Sequence, residues 1–198
     1  MSKRVIVVMA GCKYHGKDTF ADLLARLIPD SRRDSYIEPL RIAVNAKTGI
    51  PMEILNGPKS LKDDPRFGRY GKSARQYLIE EGDFIRSETN IAALVDRLAE
   101  RAVGAPERVT IVSDGRMPET EISGVSAALS QLGEVCVVIP ILITRASEPV
   151  DLSHPTESAV YNAPRELFKY VICNDGDLDD RENVASGVAD DLLAAMRE

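Results

Sequence analysis

Tryptophan is absent from this 198-residue chain, and aromatic residues make up only 5% of it. A core must therefore be built from aliphatic side chains, which suits β-branched strands covered by helices rich in Ala and Leu. Cysteine is scarce too. Cys12, Cys136 and Cys173 are odd in number and follow no metal-ligand spacing, so a disulfide framework and a zinc site are excluded. They read as the reduced thiols of a cytosolic protein, with Cys136 and Cys173 at core positions in apolar runs. No apolar run approaches the ~18 residues of a membrane span, so no membrane partner is expected. A first strand at Arg4 leaves no room for a cleaved leader, and a cytoplasmic location is expected. Positive charge is in deficit: 25 Lys and Arg against 31 Asp and Glu give a net charge of −6. That balance argues against a general nucleic-acid-binding face.

What is present is more informative. Gly11-Cys12-Lys13-Tyr14-His15-Gly16-Lys17-Asp18-Thr19 follows the apolar run Arg4 to Ala10 and precedes an amphipathic stretch, Phe20 to Ile28. A strand, a G-x-x-x-x-G-K turn and a helix, in that order, make a phosphate-binding loop. The glycines allow close backbone approach that a Cβ would block. The turn amides and the helix dipole then favour negative charge at one spot, and Lys17 adds a cation for the β- and γ-phosphates. The bare motif arises by chance in roughly 5% of chains this long, and the strand and helix around it cut that by at least ~10-fold. A nucleoside triphosphate is the expected ligand, held by Gly11, Lys13, His15, Gly16, Lys17, Asp18 and Thr19. Asp18 stands where the usual motif has the Ser or Thr that ligates Mg²⁺. A carboxylate also suits this hard cation, and Thr19 offers a hydroxyl next to it. The other reading of Asp18 is a helix N-terminal acid that serves the dipole. Cys12 lies inside the loop, open to reactivity but not needed for chemistry.

Along the rest of the chain, Asp34 to Glu38 reads as a short strand ended by Pro39, and Leu40 to Lys47 as a helix. Residues 56–71 carry Gly57, Pro58, Pro65, Gly68 and Gly71 among charges and read as a loop rather than a packed element. Helical spacing follows over Ser73 to Arg86, and again over Ile91, Leu94, Val95, Leu98 and Ala102, closed by Gly104. Arg108 to Asp114 is a buried strand ending in an acid, Ile122 to Leu132 a helix, and Val135 to Ile143 the most apolar run, with Pro140 awkward in its interior. A polar segment, Thr144 to Pro155, leads towards the last strand, Tyr170 to Cys173, and the terminal helix, Val184 to Met196. Five apolar strands alternating with helices predict an α/β fold, a parallel sheet covered on both faces, in one domain.

Ligands in such sheets sit beyond the carboxyl ends of the strands. Asp114 occupies one of those ends, the place for the acid that holds Mg²⁺, and the plain alternative is a strand-terminating turn. Arg116 would point into the same crevice unless it is a solvated loop arginine. Arg75 and Arg86 are eleven residues apart, about three helical turns, so both can project from one helix face as a phosphate clamp. A solvated face paired to Glu80 and Glu81 accounts for them equally well. They end a basic stretch that also holds Lys59, Lys62, Arg66, Arg69 and Lys72, a local anion site in an acidic chain. Arg145 opens a polar segment with His154, Glu157 and Arg165, and is placed to close over a triphosphate and stabilise transition-state charge. Asn174-Asp175-Gly176 ends the last strand beside the phosphate loop, against the nucleotide base or as a tight turn.

Together these segments resemble the deoxynucleoside monophosphate kinases of bacteriophages, within the adenylate-kinase-like P-loop kinases. The resemblance spans nearly the whole chain in matching order. It rests on the loop with Lys13 and Asp18, on Ser73 to Leu78 with Gly82 and Arg86, on Ser113 to Glu121, on His154 with Glu157, and on Asn174-Asp175-Gly176. It implies a P-loop NTPase fold with strand order 2-3-1-4-5, an acceptor-binding insertion over about 39–104 and a mobile lid over about 144–166. It implies ATP as phosphoryl donor, Mg²⁺ held by Asp18 and Asp114, and conversion of a dNMP to a dNDP in deoxynucleotide metabolism, in the host cytoplasm for a phage-encoded enzyme. Lys17, Asp18, Arg116 and Arg145 would be catalytic, Asn174 and Asp175 would join the ATP site, and Arg75, Arg86 and Arg116 would hold the acceptor. The chain departs from the family in lacking Trp and in Gly115 and Met117 beside Arg116, which leaves the acceptor's base open. Oligomeric state, a homodimer included, is not legible. The rival within the fold is a phage kinase acting on a modified base in DNA, such as 5-hydroxymethyluracil, with DNA then the partner. A non-catalytic nucleotide-binding switch or assembly ATPase is the third reading, and it gives Arg75 and Arg86 no task.

Overall fold

The apolar run Arg4–Ala10 forms the central strand, β1, buried from Val5 onward. The computed structural model describes residues 3–88 and 92–197. Ile91, the first apolar position of the helix expected there, lies outside them. In chain order β1 is followed by α1 (Lys17–Leu27), β2 (Ser31–Asp34), α2 (Glu38–Thr48), α3 (Met52–Asn56), α4 (Lys59–Asp63), a 3₁₀ turn (Pro65–Phe67), α5 (Ala74–Glu88) and α6 (Ala92–Gly104). Then come β3 (Val109–Gly115), α7 (Pro118–Gln131), β4 (Cys136–Thr144), α8 (Pro155–Tyr161), a second 3₁₀ turn (Arg165–Leu167), β5 (Tyr170–Cys173) and α9 (Leu178–Ala195).

The five strands form one parallel sheet in the order β2-β3-β1-β4-β5. The chain divides into two compact units, residues 1–35 with 98–198, and residues 36–97. In the first, Val5, Val7 and Met9 face Phe20, Leu24, Val188 and Leu192 of α1 and α9 in the main core. A smaller cluster joins Ala10, Cys12 and Leu142 to Val160, Ala163 and Phe168. The β1–β3 register slips between Val8↔Val112 and Ala10↔Gly115, which gives β3 one extra residue at Ser113–Asp114. Such a bulge re-aims side chains at a sheet end. In the second unit, Val44, Ile50, Leu55 and Ala74 make a separate core.

Several expectations are corrected. β2 occupies Ser31–Asp34 rather than Asp34 to Glu38, because pairing with Val109–Val112 sets its extent. Its residues are Ser-Arg-Arg-Asp, and an apolar search cannot see them. Residues 56–71 are not a plain loop. They hold α4, the 3₁₀ turn and a two-residue turn closed by the Arg69↔Lys72 bridge, all too short for a periodic signal. Ser73 then starts α5 with a reciprocal cap, Gln76 N–H to Ser73 Oγ (3.3 Å) and Ser73 N–H to Gln76 Oε1 (2.7 Å). α9 begins at Leu178, six residues before the first apolar position expected, because Asp177 and Asp180 form a capping box. Cys173 is exposed and Cys136 half-buried, so neither is a core thiol. Pro140 is tolerated for a geometric reason. Its carbonyl accepts Lys169 N–H at 2.9 Å, so its nitrogen faces the β5 side just before the ladder begins at Ile141↔Tyr170, and no ladder bond is lost there. Among the described residues no helix is long and apolar enough to cross a membrane.

Because α1 carries the phosphate loop and is anchored by Leu24, fully buried, Leu24→Ala should cost about 2–5 kcal/mol in urea denaturation. Leu27→Ala, three residues on and 39% exposed, should cost under ~1.5 kcal/mol in the same assay.

Candidate active site at the carboxyl end of the sheet

The loop between β1 and α1 is shaped by clashes that a side chain would create. A Cβ on Gly11 would stand 2.5 Å from the Ile143 carbonyl oxygen. Gly16, the N-cap residue of α1, has φ of 89°, and a Cβ there would meet Asn174 Nδ2 at 2.1 Å. No side chain caps α1, so its first amides are open to a ligand. Lys17 is 7% exposed and its Nζ donates to the Cys12 carbonyl at 3.0 Å. Burial, and secondarily the Arg116 guanidinium, push its pKa down to about 8. A buried ammonium near a second cation is a place where an arriving anion is favoured.

On one side of the loop, Asp18 is largely exposed at the mouth, and its Oδ1 accepts Ser113 Oγ–H at 2.6 Å. Arg33, from β2, lies 3.5 Å from the same oxygen, donates to Ser113 Oγ at 2.6 Å and pairs with Asp22. Asp114, on the β3 bulge, accepts Ser35 Oγ–H at 2.5 Å. Asp18 thus meets Ser113, and Asp114 is the next residue along β3; both carboxylates are the hard oxygen donors that Mg²⁺ takes. Thr19 follows on the exposed first turn of α1. Asp18 makes no cap bond, and it is the acid of the first turn of α1, where its charge also serves the helix dipole.

Arg116, just beyond β3, has its guanidinium against Glu157 of α8. Its backbone N–H donates to Glu121 Oε2 at 2.8 Å, as Met117 N–H does at 3.0 Å. Burial pushes the Glu121 carboxyl up to about 7, with the two amides acting in the opposite direction. Glu157 is itself buried and also accepts Lys13 N–H at 2.8 Å. The Lys13 ammonium stands 4.7 Å from the centroid of the exposed Tyr14 ring.

On the other side, a cavity of about 420 Å³ is lined by Cys12, His15, Thr144, Arg145, Val160 and Cys173 among others. His15 is buried with Nδ1 3.3 Å from the Ile143 carbonyl, and burial lowers its pKa, which favours the neutral imidazole. Its Nε2 has no partner among the described residues. Burial likewise pushes the Cys12 thiol up, with the Glu157 charge second, so Cys12 is less reactive than an open loop position would suggest. Arg145, at the end of β4, donates to Ser147 Oγ at 3.2 Å and lies 3.7 Å from Glu148. Asn174 is buried and donates to the His15 carbonyl at 2.7 Å, while Asp175 accepts the N–H groups of Ala146 and Ser147 at 3.0 Å each. Those bonds and the Cys173 thiol hold the Asp175 carboxyl well below its usual range. Both residues therefore tie loops of the site together. The lid expected over 144–166 contains α8, whose Val160 and the following Ala163 are buried in the cluster with Ala10 and Leu142. His154 is exposed at the start of α8.

In the second unit, Arg75 pairs with Asp63 at 3.0 Å, Lys72 with Glu80 at 2.8 Å, and Arg66 with Asp64 at 2.6 Å. Arg86 lies on α5, and its side chain is outside the described residues. Sequence reasoning did not single out Arg33, Ser113 or Ser35, noted Glu121 only within a longer segment, and named Glu157 with His154 without giving it a partner. Arg33 meets Ser113 across 80 positions, Ser35 meets Asp114 across 79 and Glu157 meets Lys13 across 144, spans that no local spacing announces, whereas Glu121 reaches Arg116 and Met117 only five and four positions away.

No family model matches the chain, and no curated protein matches it in sequence. Solved structures do. A Mycobacterium tuberculosis APS kinase is 11% identical over 96% of this chain and 99% of its own, with a TM-score of 0.51. The Deinococcus radiodurans tunicamycin resistance protein is 13% identical over 96% of both chains, also with a TM-score of 0.51. At such identity the likeness is one of architecture: a five-stranded parallel sheet in the order 2-3-1-4-5, covered by helices, is the P-loop kinase fold.

Proposed function

We propose that this chain is an ATP-dependent phosphotransferase, and specifically a deoxynucleoside monophosphate kinase of the phage type its motifs resemble. The observation that carries the reading is Lys17: an ammonium withdrawn from water, at the mouth of open helix amides, beside a second cation, Arg116. Such a cluster is costly without an anion and complementary to a triphosphate. Phosphoryl transfer depends mainly on positioning and on stabilising charge on the transferring group. In this reading Lys17 neutralises the β- and γ-phosphates, Arg116 meets charge that develops on the transferred group, and Arg145 approaches from the end of β4. Asp18 and Asp114 would hold Mg²⁺, which would supply positive charge against the phosphates. Asn174 and Asp175 contribute by fixing the loops around the donor.

The acceptor is assigned to α5 through Arg75 and Arg86, with Arg75 exchanging its Asp63 partner for the acceptor phosphate. The polymer alternative draws on the basic stretch of the second unit. Arg66 and Lys72 are already paired there with Asp64 and Glu80, which favours a small acceptor over a nucleic-acid surface.

The direct test incubates the protein with γ-labelled ATP, Mg²⁺, the four deoxynucleoside monophosphates and DNA containing 5-hydroxymethyluracil. Label should appear in a dNDP; label in DNA alone would replace this reading with the polymer one.

Lys17→Met should abolish transfer, raising the barrier by several kcal/mol, while raising stability. The folded pKa of about 8 lies below the unfolded value of ~10.4, so the unfolded chain binds more protons between these limits. The cost of the buried charge is therefore present in full below about pH 8 and fades as pH rises towards ~10. The variant should exceed the wild type by up to ~3 kcal/mol at pH 7 in ligand-free denaturation, with the gap closing at alkaline pH. Equal stability across that range would contradict the buried ammonium.

Arg75→Lys and Arg86→Lys keep charge but lose the planar fork. Each should raise the acceptor KM about 10- to 150-fold, the equivalent of one charge-assisted hydrogen bond, and leave ATP binding nearly intact in a titration.

A further inference from the structure

We infer that Glu157 is a positioning residue of this site, holding the Arg116 guanidinium and the Lys13 amide of the phosphate loop in one fixed arrangement. The inference rests on the phosphotransfer reading, which gives Arg116 its task. One carboxylate serves two segments: Oε2 accepts Lys13 N–H at 2.8 Å, and Oε1 takes Arg116 Nη1–H. The Glu157 carbonyl, 3.8 Å from Cys12 Sγ, accepts the thiol as well. Three contacts therefore run from one residue of α8 to the β1–α1 loop and the β3–α7 loop.

The platform under this carboxylate is packed. Val160, one turn further along α8, is 2% exposed, and Ala163 follows at 6%, both in the cluster with Ala10, Cys12 and Leu142. Glu157 is thus carried on an anchored helix. Arg116 is held independently at its backbone by Glu121. With its main chain fixed by one acid and its guanidinium by another, a long side chain with many rotamers is confined before any substrate arrives, and that confinement is what preorganisation requires.

A carboxylate, rather than an amide, also has an electrostatic reason. Arg116 and Lys17 are close enough for the guanidinium to depress the lysine pKa, and the Glu157 charge acts on Lys17 in the opposite direction. Glu157 offsets the repulsion between the two cations and so lets them converge on one anion. Local sequence hides this role, because Glu157 lies 144 positions from Lys13.

The test uses Glu157→Gln, whose amide oxygen keeps the Lys13 bond but whose charge is gone. Its kcat should fall about 10- to 100-fold, the scale of a misplaced catalytic group. The ATP KM should change less than about threefold, because ground-state binding is spared. Thermal unfolding should stay within ~4 °C of wild type. In an Arg116→Met background the same substitution should cost nothing further, since the residue acts through Arg116. Site-resolved alkylation should show Cys12 labelled faster, because the neighbouring charge that disfavours its thiolate is removed. Glu157→Asp, one methylene shorter, cannot reach both partners and should fall between. A kcat within about twofold of wild type, or losses that add to those of Arg116→Met, would overturn the inference. If the wild type transfers no phosphoryl group at all, the phosphotransfer reading falls by itself. The tie is then judged at Cys12: faster labelling in Glu157→Gln upholds it, and an unchanged rate removes it.

Discussion

A strand buried on both faces has to satisfy its backbone along both edges, and β1 does so between β3 and β4 over nearly its whole length. That double pairing fixes where the chain leaves the sheet at Ala10. It brings the ends of β3 and β4 alongside, so Asp114, Arg116 and Arg145 arrive near the loop that β1 feeds. The parallel direction matters as much as the pairing: every strand ends at the same edge, and the residues just past those ends face one crevice. The slip between Val8 and Ala10 gives β3 its extra residue at Ser113–Asp114, and Ser113 there donates to Asp18.

Around that crevice the electrostatics are built from cations that have been partly withdrawn from water. Lys17 is buried and Arg116 half-buried. Each is held by an oxygen of the protein, the Cys12 carbonyl for one and the Glu157 carboxylate for the other. Buried charges of like sign repel strongly where water is scarce, so the arrangement persists because acids are supplied from other elements. Glu157 and Glu121 act on the Arg116 side, and Asp18 and Asp22 act on Arg33. The same logic appears at β2, where Asp34 is 5% exposed and takes Arg32 and Arg101 together, holding a polar strand at the sheet edge.

The loops on the far side are held by amide chemistry instead. Asn174 reaches the His15 carbonyl, and Asp175 takes two backbone N–H groups of the segment after β4. Because Asn174 Nδ2 fills the space a Cβ on Gly16 would need, the last strand and the phosphate loop constrain each other. A change in one is felt in the other through that contact.

The sequence by itself determined the sheet, the phosphate loop and the strand-end acid, because these are written in short-range signals. An apolar run of six, glycines at fixed offsets and a lysine after the second glycine all act within ten residues or so. Tyr170–Cys173 was legible in the same way, and so were the helices over residues 74–88 and 92–104. Only the tertiary structure decided the rest. β2 is a strand because β3 offers it a ladder, although its own residues are polar. Cys173 is exposed because β5 is an edge strand. Glu157 belongs to the site because β4, reaching into the core beside β1, returns the chain to the phosphate loop 144 positions after Lys13. A contact of that span leaves no periodicity behind; it exists only once burial of the sheet has brought the strand ends together.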